Sequence, residues 1–223
     1  MKHYLTYLQE SMQKYWDKDA LCNYKGKKYS YADMAKEIAK LHILFEKIGV
    51  KKGDKIALCA GNTAEWGITF LAITSYEAVV VPLLNGFTAE EVKDLTNHSE
   101  STLLVTEKDI FDKLEVSEMP IIKGIIDLPD FSVVYDNGSN ISEVYATLEE
   151  EFNKKYPNGI KPEDINYPTD NLDKLALINY TSGTTGCSKG VMTPANALAG
   201  NILFGFKTGL VFPGCRHVAF LPL

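Results

Sequence analysis

Close cysteine pairs are missing from this chain. Its four cysteines, Cys22, Cys59, Cys187 and Cys215, stand far apart and form no C-x-x-C. That excludes a disulfide-dense secreted scaffold and predicts reduced, mostly buried thiols. Histidine is scarce as well. His3, His42, His98 and His217 fall at no spacing that would gather them around a metal. No apolar run is long enough to span a bilayer, and no signal-peptide core follows Met1. Positive charge is not in excess: 23 Lys and Arg stand against 29 Asp and Glu, a net charge of −6. This argues against nonspecific nucleic-acid binding and gives no pull toward anionic membranes. The expectation is a soluble, cytoplasmic protein that binds no nucleic acid, with peripheral membrane contact left open.

What is present is ordinary globular material. The chain has 223 residues, 45% of them hydrophobic. That is enough to bury about 70% of the unfolded surface in one large domain or one and a half. Tyr4 to Trp16 carries apolar residues on one helical face. Ala20–Tyr24 and Lys28–Tyr31 flank Gly26 as a hairpin. Ser30 with Asp33 caps a long helix that Gly49 stops. Then strands and capped helices alternate. Strands are expected at Lys55–Cys59, Ala78–Leu83, Thr102–Thr106 and Ile121–Ile126. Helices are expected after Asn62 (with Glu65 three on), after Thr88 (with Glu91) and near Ile110–Leu114. This order predicts an α/β fold of βαβ units, with a largely parallel sheet covered by helices on both faces.

Residues 128–171 differ. They are rich in Asp, Asn, Pro and Gly and read as a surface excursion, with one short helix from Val144 to Phe152. Glu149, Glu150 and Glu151 read as its solvated face. Three parts are thus expected: a βα core over 1–127, the excursion over 128–171, and a strand, loop, helix and strand over 172–223. In the last part Thr193 caps a helix with Pro194 at its first position. The helix runs towards Phe206, Gly209 ends it, and His217 to Leu223 is strand.

The composition changes most abruptly at Tyr180 to Met192, Y-T-S-G-T-T-G-C-S-K-G-V-M. An apolar strand, Leu175 to Tyr180, leads into it. Thr181, Ser182, Thr184 and Thr185 bring hydroxyls. Gly183, Gly186 and Gly190 free the backbone, with Gly190 expected to turn the chain out of the loop. Lys189 brings one cation. Such a loop suits a polyphosphate, whose oxygens match these donors in charge and number. It is neither G-x-x-x-x-G-K-[ST] nor G-x-G-x-x-G.

The stretch resembles the phosphate loop of the AMP-forming adenylating enzymes: acyl-CoA synthetases, peptide-synthetase adenylation domains and luciferases. Their pattern, [YF]-T-S-G-[TS]-T-G-x-P-K-G-V, fits every position from Tyr180 to Val191 except Ser188, where Pro is usual. K-Y-S-Y-A-D-M around Tyr29, G-D-K-I-A-L from Gly53, N-T-A-E-W from Asn62 and the V-P-L ending at Leu83 follow the family's order. The general likeness is greatest to long-chain fatty acyl-CoA synthetases. A His that many relatives carry near Ala195 is not found here.

The resemblance implies ATP, Mg²⁺, a fatty acid and coenzyme A as ligands. It also implies ATP-phosphate binding by Thr181, Ser182, Gly183, Thr184, Thr185, Gly186 and Lys189, with Thr181 also facing Mg²⁺. The family's Y-G-x-T-E segment, its ribose-binding Asp and the C-terminal domain with its catalytic Lys do not occur in these 223 residues. The chain therefore reads as an incomplete N-terminal AMP-binding domain, inactive alone. Its cut sheet predicts self-association into a homo-oligomer. Two other readings stay open: a stand-alone nucleotide-binding or interaction module, and an amino-acid or aryl-acid adenylation domain.

Overall fold

Apolar residues facing alternately to either side of the central strands build this chain around one sheet. The computed structural model describes residues 1–181, 188–209, 212 and 214–219. Its elements, in chain order, are α1 (Tyr4–Lys14), β1 (Asp19–Cys22), β2 (Lys28–Ser30), α2 (Tyr31–Lys47), β3 (Lys55–Cys59), α3 (Ala64–Ser75), β4 (Val79–Leu83) and α4 (Ala89–His98). There follow β5 (Ser101–Thr106), α5 (Lys108–Phe111), β6 (Gly124–Asp127), β7 (Val133–Asp136), α6 (Ile141–Ala146), α7 (Leu148–Lys155), β8 (Leu175–Thr181), β9 (Lys189–Pro194) and α8 (Ala195–Lys207).

Among the described residues, β1 and β2 form a hairpin and seven strands form one sheet, in the order β7-β6-β5-β3-β4-β8-β9. The five inner strands are parallel. Both edge strands, β7 and β9, run antiparallel to their neighbours. Ile56, Leu58, Val80, Leu103, Val105 and Ile126 face the layer of α1, α2, α3 and α6 to α8. Ala57, Cys59, Val79, Val81, Leu104 and Ile125 face the other way, towards α4 and the 116–122 turn. A strand buried on both faces has to be apolar at every position, which is why β3, β4 and β5 read as continuous hydrophobic runs. Each such buried side chain contributes about 1.5–3 kcal/mol.

The caps set the helix positions. Ser30 Oγ accepts from the Asp33 N–H at 3.1 Å, and Asp33 returns the bond to Ser30 N at 2.9 Å. Thr88 and Glu91 make the same reciprocal pair at 3.2 and 2.7 Å. Gly49, at φ +73°, ends α2 as expected. The start of α3 differs from expectation. Thr63, not Asn62, is its cap, accepting from the Trp66 N–H. Glu65 is drawn into the interior instead, because Tyr29 and Asn23 offer it donors.

Residues 128–171, expected as a surface excursion, add a strand to the sheet edge and two helices to a core face. Ile141, Val144, Leu148, Phe152, Ile165 and Tyr167 are all buried there. Their apolar positions were hidden among turn residues. The expected single helix is two, parted at Thr147. Its acidic face is not merely solvated: Glu149 pairs with Lys40 at 2.5 Å and Glu151 with Lys47 at 2.6 Å, tying α7 to α2. Residues 189–194, read as the loop's exit, are strand β9. Pro194, not Thr193, occupies the cap position of α8, so the helix starts one residue later than expected. The strand expected from His217 is not found among its described residues, 217–219. No helix of the described residues is long and apolar enough to cross a membrane.

Candidate functional site

β8 is parallel to β4, so Thr181 lies at the carboxyl end of the sheet, the edge where open α/β sheets take their ligands. β9 returns antiparallel, and its register sets Thr181 opposite Lys189. Directly opposed residues project to the same face with Cβ atoms about 4.5–5.5 Å apart. The Thr181 and Lys189 side chains thereby leave the neck of the hairpin on the same face, both exposed. The segment 182–187 joins them. The predicted ligands Ser182, Gly183, Thr184, Thr185 and Gly186, together with Cys187, lie outside the described residues.

The other face of the hairpin explains two further positions of the motif. Tyr180 lies opposite Gly190, and Ile178 opposite Met192. A Cβ on Gly190 would come 3.0 Å from Ile178 Cγ2 and 3.5 Å from Tyr180 Cε1. Gly190 therefore serves close packing under an aromatic ring, and its place inside β9 corrects the expected turn. Tyr180 in turn is anchored. Its Oη and His98 Nδ1 are 2.6 Å apart, with the rings edge to face at 5.6 Å. Burial pushes its phenol above the ordinary value, a Ser99 hydrogen bond opposing the shift. No sequence motif announces His98, because the contact joins residues 82 positions apart.

The base of the hairpin is held at the opposite, amino edge. Ala195 N donates to Lys174 O and Asn196 N to Leu172 O, each at 2.8 Å, locking α8 to the entry of β8. The Lys174 side chain bonds Glu77, which also takes Lys52. Three segments preceding β3, β4 and β8 are thereby tied together.

Other polar groups share the carboxyl edge. Glu107 Oε2 accepts from Gly61 N at 3.4 Å, and Thr106 Oγ1 donates to Cys59 O at 2.8 Å. Asn62 Nδ2 donates to Ala219 O at 3.1 Å, drawing 214–219 over this edge. Asp127 Oδ1 is buried without a hydrogen bond. Burial first, and the charge of Asp130 second, push that carboxyl upward. Cys59 is buried, its thiol pushed up to about 12, which leaves it unreactive. Among the described residues no three His, Cys, Asp or Glu side chains converge as a metal site. The donor set at the hairpin neck fits an anion rather than a bare cation. A Mg²⁺ ion fits there only as Mg²⁺ does on polyphosphates, held by phosphate oxygens and water with a hydroxyl such as that of Thr181.

Comparison with known proteins gives the family and the fold. The model of the AMP-binding enzyme family matches residues 8–223, so the chain belongs to that family. Acetyl-coenzyme A synthetase of Emericella nidulans is 30% identical over 193 residues, which cover 83% of this chain and 28% of that protein. Fatty acyl-CoA synthetase A of Dictyostelium discoideum is 28% identical over 179 residues, 79% of this chain and 26% of that protein. The chain thus spans little more than a quarter of the length of these curated relatives. Among solved structures, a long-chain-fatty-acid-CoA ligase from Archaeoglobus fulgidus superposes with a TM-score of 0.68 at 23% identity, over 91% of this chain and 38% of that one. ATP-bound MatB from Rhodopseudomonas palustris gives 0.65 at 23% identity, over 91% and 37%. At these identities the structures establish a shared fold.

Proposed function

We propose that this chain is the N-terminal, phosphate-binding part of an ATP-dependent acid–thiol ligase. The reaction of the whole protein joins a carboxylate oxygen to the α-phosphorus of ATP, releasing pyrophosphate. The thiol of coenzyme A then attacks the acyl carbon and releases AMP. The observation that carries this reading is the opposition of Thr181 and Lys189 across the hairpin neck, at the carboxyl edge of the sheet. Lys189 offsets the charge of the β- and γ-phosphates. Thr181, Ser182, Thr184 and Thr185 donate hydrogen bonds to them, while Gly183 and Gly186 admit their close approach. Mg²⁺ bound with the nucleotide supplies further charge neutralisation.

In-line displacement at phosphorus needs both partners positioned. Thr181 and Lys189 hold one end of the nucleotide only, so residues 1–223 by themselves are proposed to bind phosphate without turnover. The acid is proposed to be a long-chain fatty acid, in keeping with the fatty acyl-CoA synthetase among the relatives, and the setting to be cytoplasmic. Exposed Val191 and Met192 on edge strand β9 favour self-association of the isolated chain; a monodisperse monomer in light scattering would count against it.

The test is acid-dependent ATP–pyrophosphate exchange by the longer protein, across acetate, benzoate and palmitate. Palmitate is expected to be preferred. Lys189→Ala is expected to abolish most exchange while shifting stability by no more than about 0.5 kcal/mol, since Lys189 is exposed. Unchanged turnover in that variant rejects the role of Lys189, and exchange with none of the acids rejects the ligase reading.

A further inference from the structure

A second cavity, of about 510 Å³, opens at the amino edge of the sheet, the end opposite the phosphate hairpin. Its lining includes Ser75 to Glu77, which precede β4, and Lys52, which precedes β3. Its volume is that of a small-molecule cleft. None of the residues proposed to hold ATP phosphates lines it.

The interior is aromatic and fixed. His42 Nε2 lies 3.0 Å from Ala72 O, and a carbonyl only accepts, so the proton sits on Nε2 and Nδ1 is left as an acceptor. Tyr76 and Tyr167 flank the imidazole, with ring centroids 5.4 and 6.4 Å away. Both are tethered by their hydroxyls, Tyr76 to Val50 O and Tyr167 to Met12 Sδ. Tyr156 and Ile38 complete the apolar wall. Rings held in this way bind a flat apolar body without first losing freedom of their own.

The rim carries two lysines and two acids, Lys52 and Lys155 against Glu77 and Asp164. Neighbouring Lys154 and Lys47 are paired with Glu150 and Glu151. Lys155 has no ion-pair partner among the described residues, and its ammonium lies over the Tyr156 ring, 5.9 Å from the centroid. Lys52 and Lys174 share the single carboxylate of Glu77, leaving one positive charge over. Asp164, the remaining acid of the lining, already accepts from the Lys161 N–H at 2.8 Å. Among the described residues Lys155 is the one lysine of the lining with no acid within ion-pair distance, and so the cation open to an anionic group.

We propose that this cavity is a second binding site, for a compact aromatic carboxylate whose ring lies among Tyr76, Tyr156 and Tyr167 and whose anion meets Lys155. The site is distinct from the phosphate hairpin, and its failure would leave the ligase reading untouched.

The test uses the 223-residue polypeptide and benzoate as the probe. Calorimetric titration is paired with nuclear magnetic resonance of the His42 imidazole and the tyrosine rings. Saturable one-to-one binding is expected, with shifts confined to His42, Tyr76, Tyr156 and Tyr167. Lys155→Ala should weaken it about tenfold, the loss of one charge-assisted hydrogen bond, whereas Lys154→Ala should not. Both lysines are exposed, so circular dichroism should show either variant folded. Cyclohexanecarboxylate should bind more weakly than benzoate. No saturation up to the solubility limit, equal weakening by the two lysine variants, or shifts centred on Thr181 and Lys189 would overturn the site. Equal binding of the two acids would overturn its aromatic selectivity.

Discussion

The hydroxyl of Tyr29 donates to Oε1 of Glu65 at 2.6 Å, joining the β1–β2 hairpin to the first turn of α3. Asn23 completes the set, donating to Glu65 Oε2 at 2.9 Å while accepting from Ala64 N at 2.7 Å. Burial alone would raise the Glu65 carboxyl, but the Asn23 and Tyr29 hydrogen bonds outweigh it and hold it below the ordinary value. Tyr29→Phe keeps the ring and removes one donor from a buried carboxylate. The expected loss is about 1–3 kcal/mol, read from urea unfolding at neutral pH. An unchanged midpoint would show that water replaces the phenol at no cost.

Acid should weaken the fold from about pH 6.5 downward, through buried histidine. Burial lowers the His42 imidazole from 6.5 to about 4, with Lys155 adding to the shift and the Ala72 carbonyl opposing it. The folded value lies below the unfolded one, so between these limits the unfolded chain binds the extra proton. Stability is therefore full above pH 6.5 and falls as pH drops towards 4, by at most about 3 kcal/mol. His3, also lowered by burial, adds a share of the same sign. Urea midpoints followed from pH 7 to 5 should decline, and His42→Phe should flatten most of that decline. A flat profile in the parent chain would exclude the buried neutral imidazole.

Glu77 combines a cost with a benefit. Its φ of +67° places a non-glycine residue in the left-handed region, while its carboxylate joins Lys52 and Lys174. Burial would raise that carboxyl, but the two lysines prevail and lower it. Its contribution is accordingly present above the ordinary glutamate value and lost as pH falls through the lower folded one. Glu77→Ala loses the ion pairs and keeps the strain. Glu77→Gly loses the pairs but relieves the strain, so it should be the more stable of the two by about 1 kcal/mol. Equal stability would mean that the left-handed conformation is not maintained in solution.

Gly190 is held by packing, so its tolerance should follow size. Ile178, which a new Cβ would press upon, is itself buried beside β9. Gly190→Val should destabilise by about 1–3 kcal/mol through overpacking, and Gly190→Ala by less, because better strand propensity offsets part of the contact. Thermal unfolding of both variants checks the order. A Val variant as stable as the parent would return Gly190 to a purely conformational role.

Much of the framework was legible because its causes are local. Ser30 with Asp33, Thr88 with Glu91 and Gly49 act over three or four residues, and the doubly buried strands announce themselves as apolar runs. The misses share one cause. Glu65 was read as part of a helix start because its partners, Tyr29 and Asn23, are distant in sequence. Val133–Asp136 and Ile141 to Phe152 were read as surface because turn residues surround them, while the sheet edge and helix layer that cover them come from other parts of the chain. Strand β9 was concealed inside the Gly- and Thr-rich motif, since Gly190 resembles a turn residue until Tyr180 lies across it.

The sequence by itself determined the family and the parallel α/β class, since each rests on residue types in a fixed local order. Only the tertiary structure decided that Thr181 faces Lys189, that His98 holds Tyr180, and that three tyrosines and His42 enclose a cavity at the far edge. Strand register and helix packing bring together residues tens of positions apart, and no local pattern encodes which of them will meet.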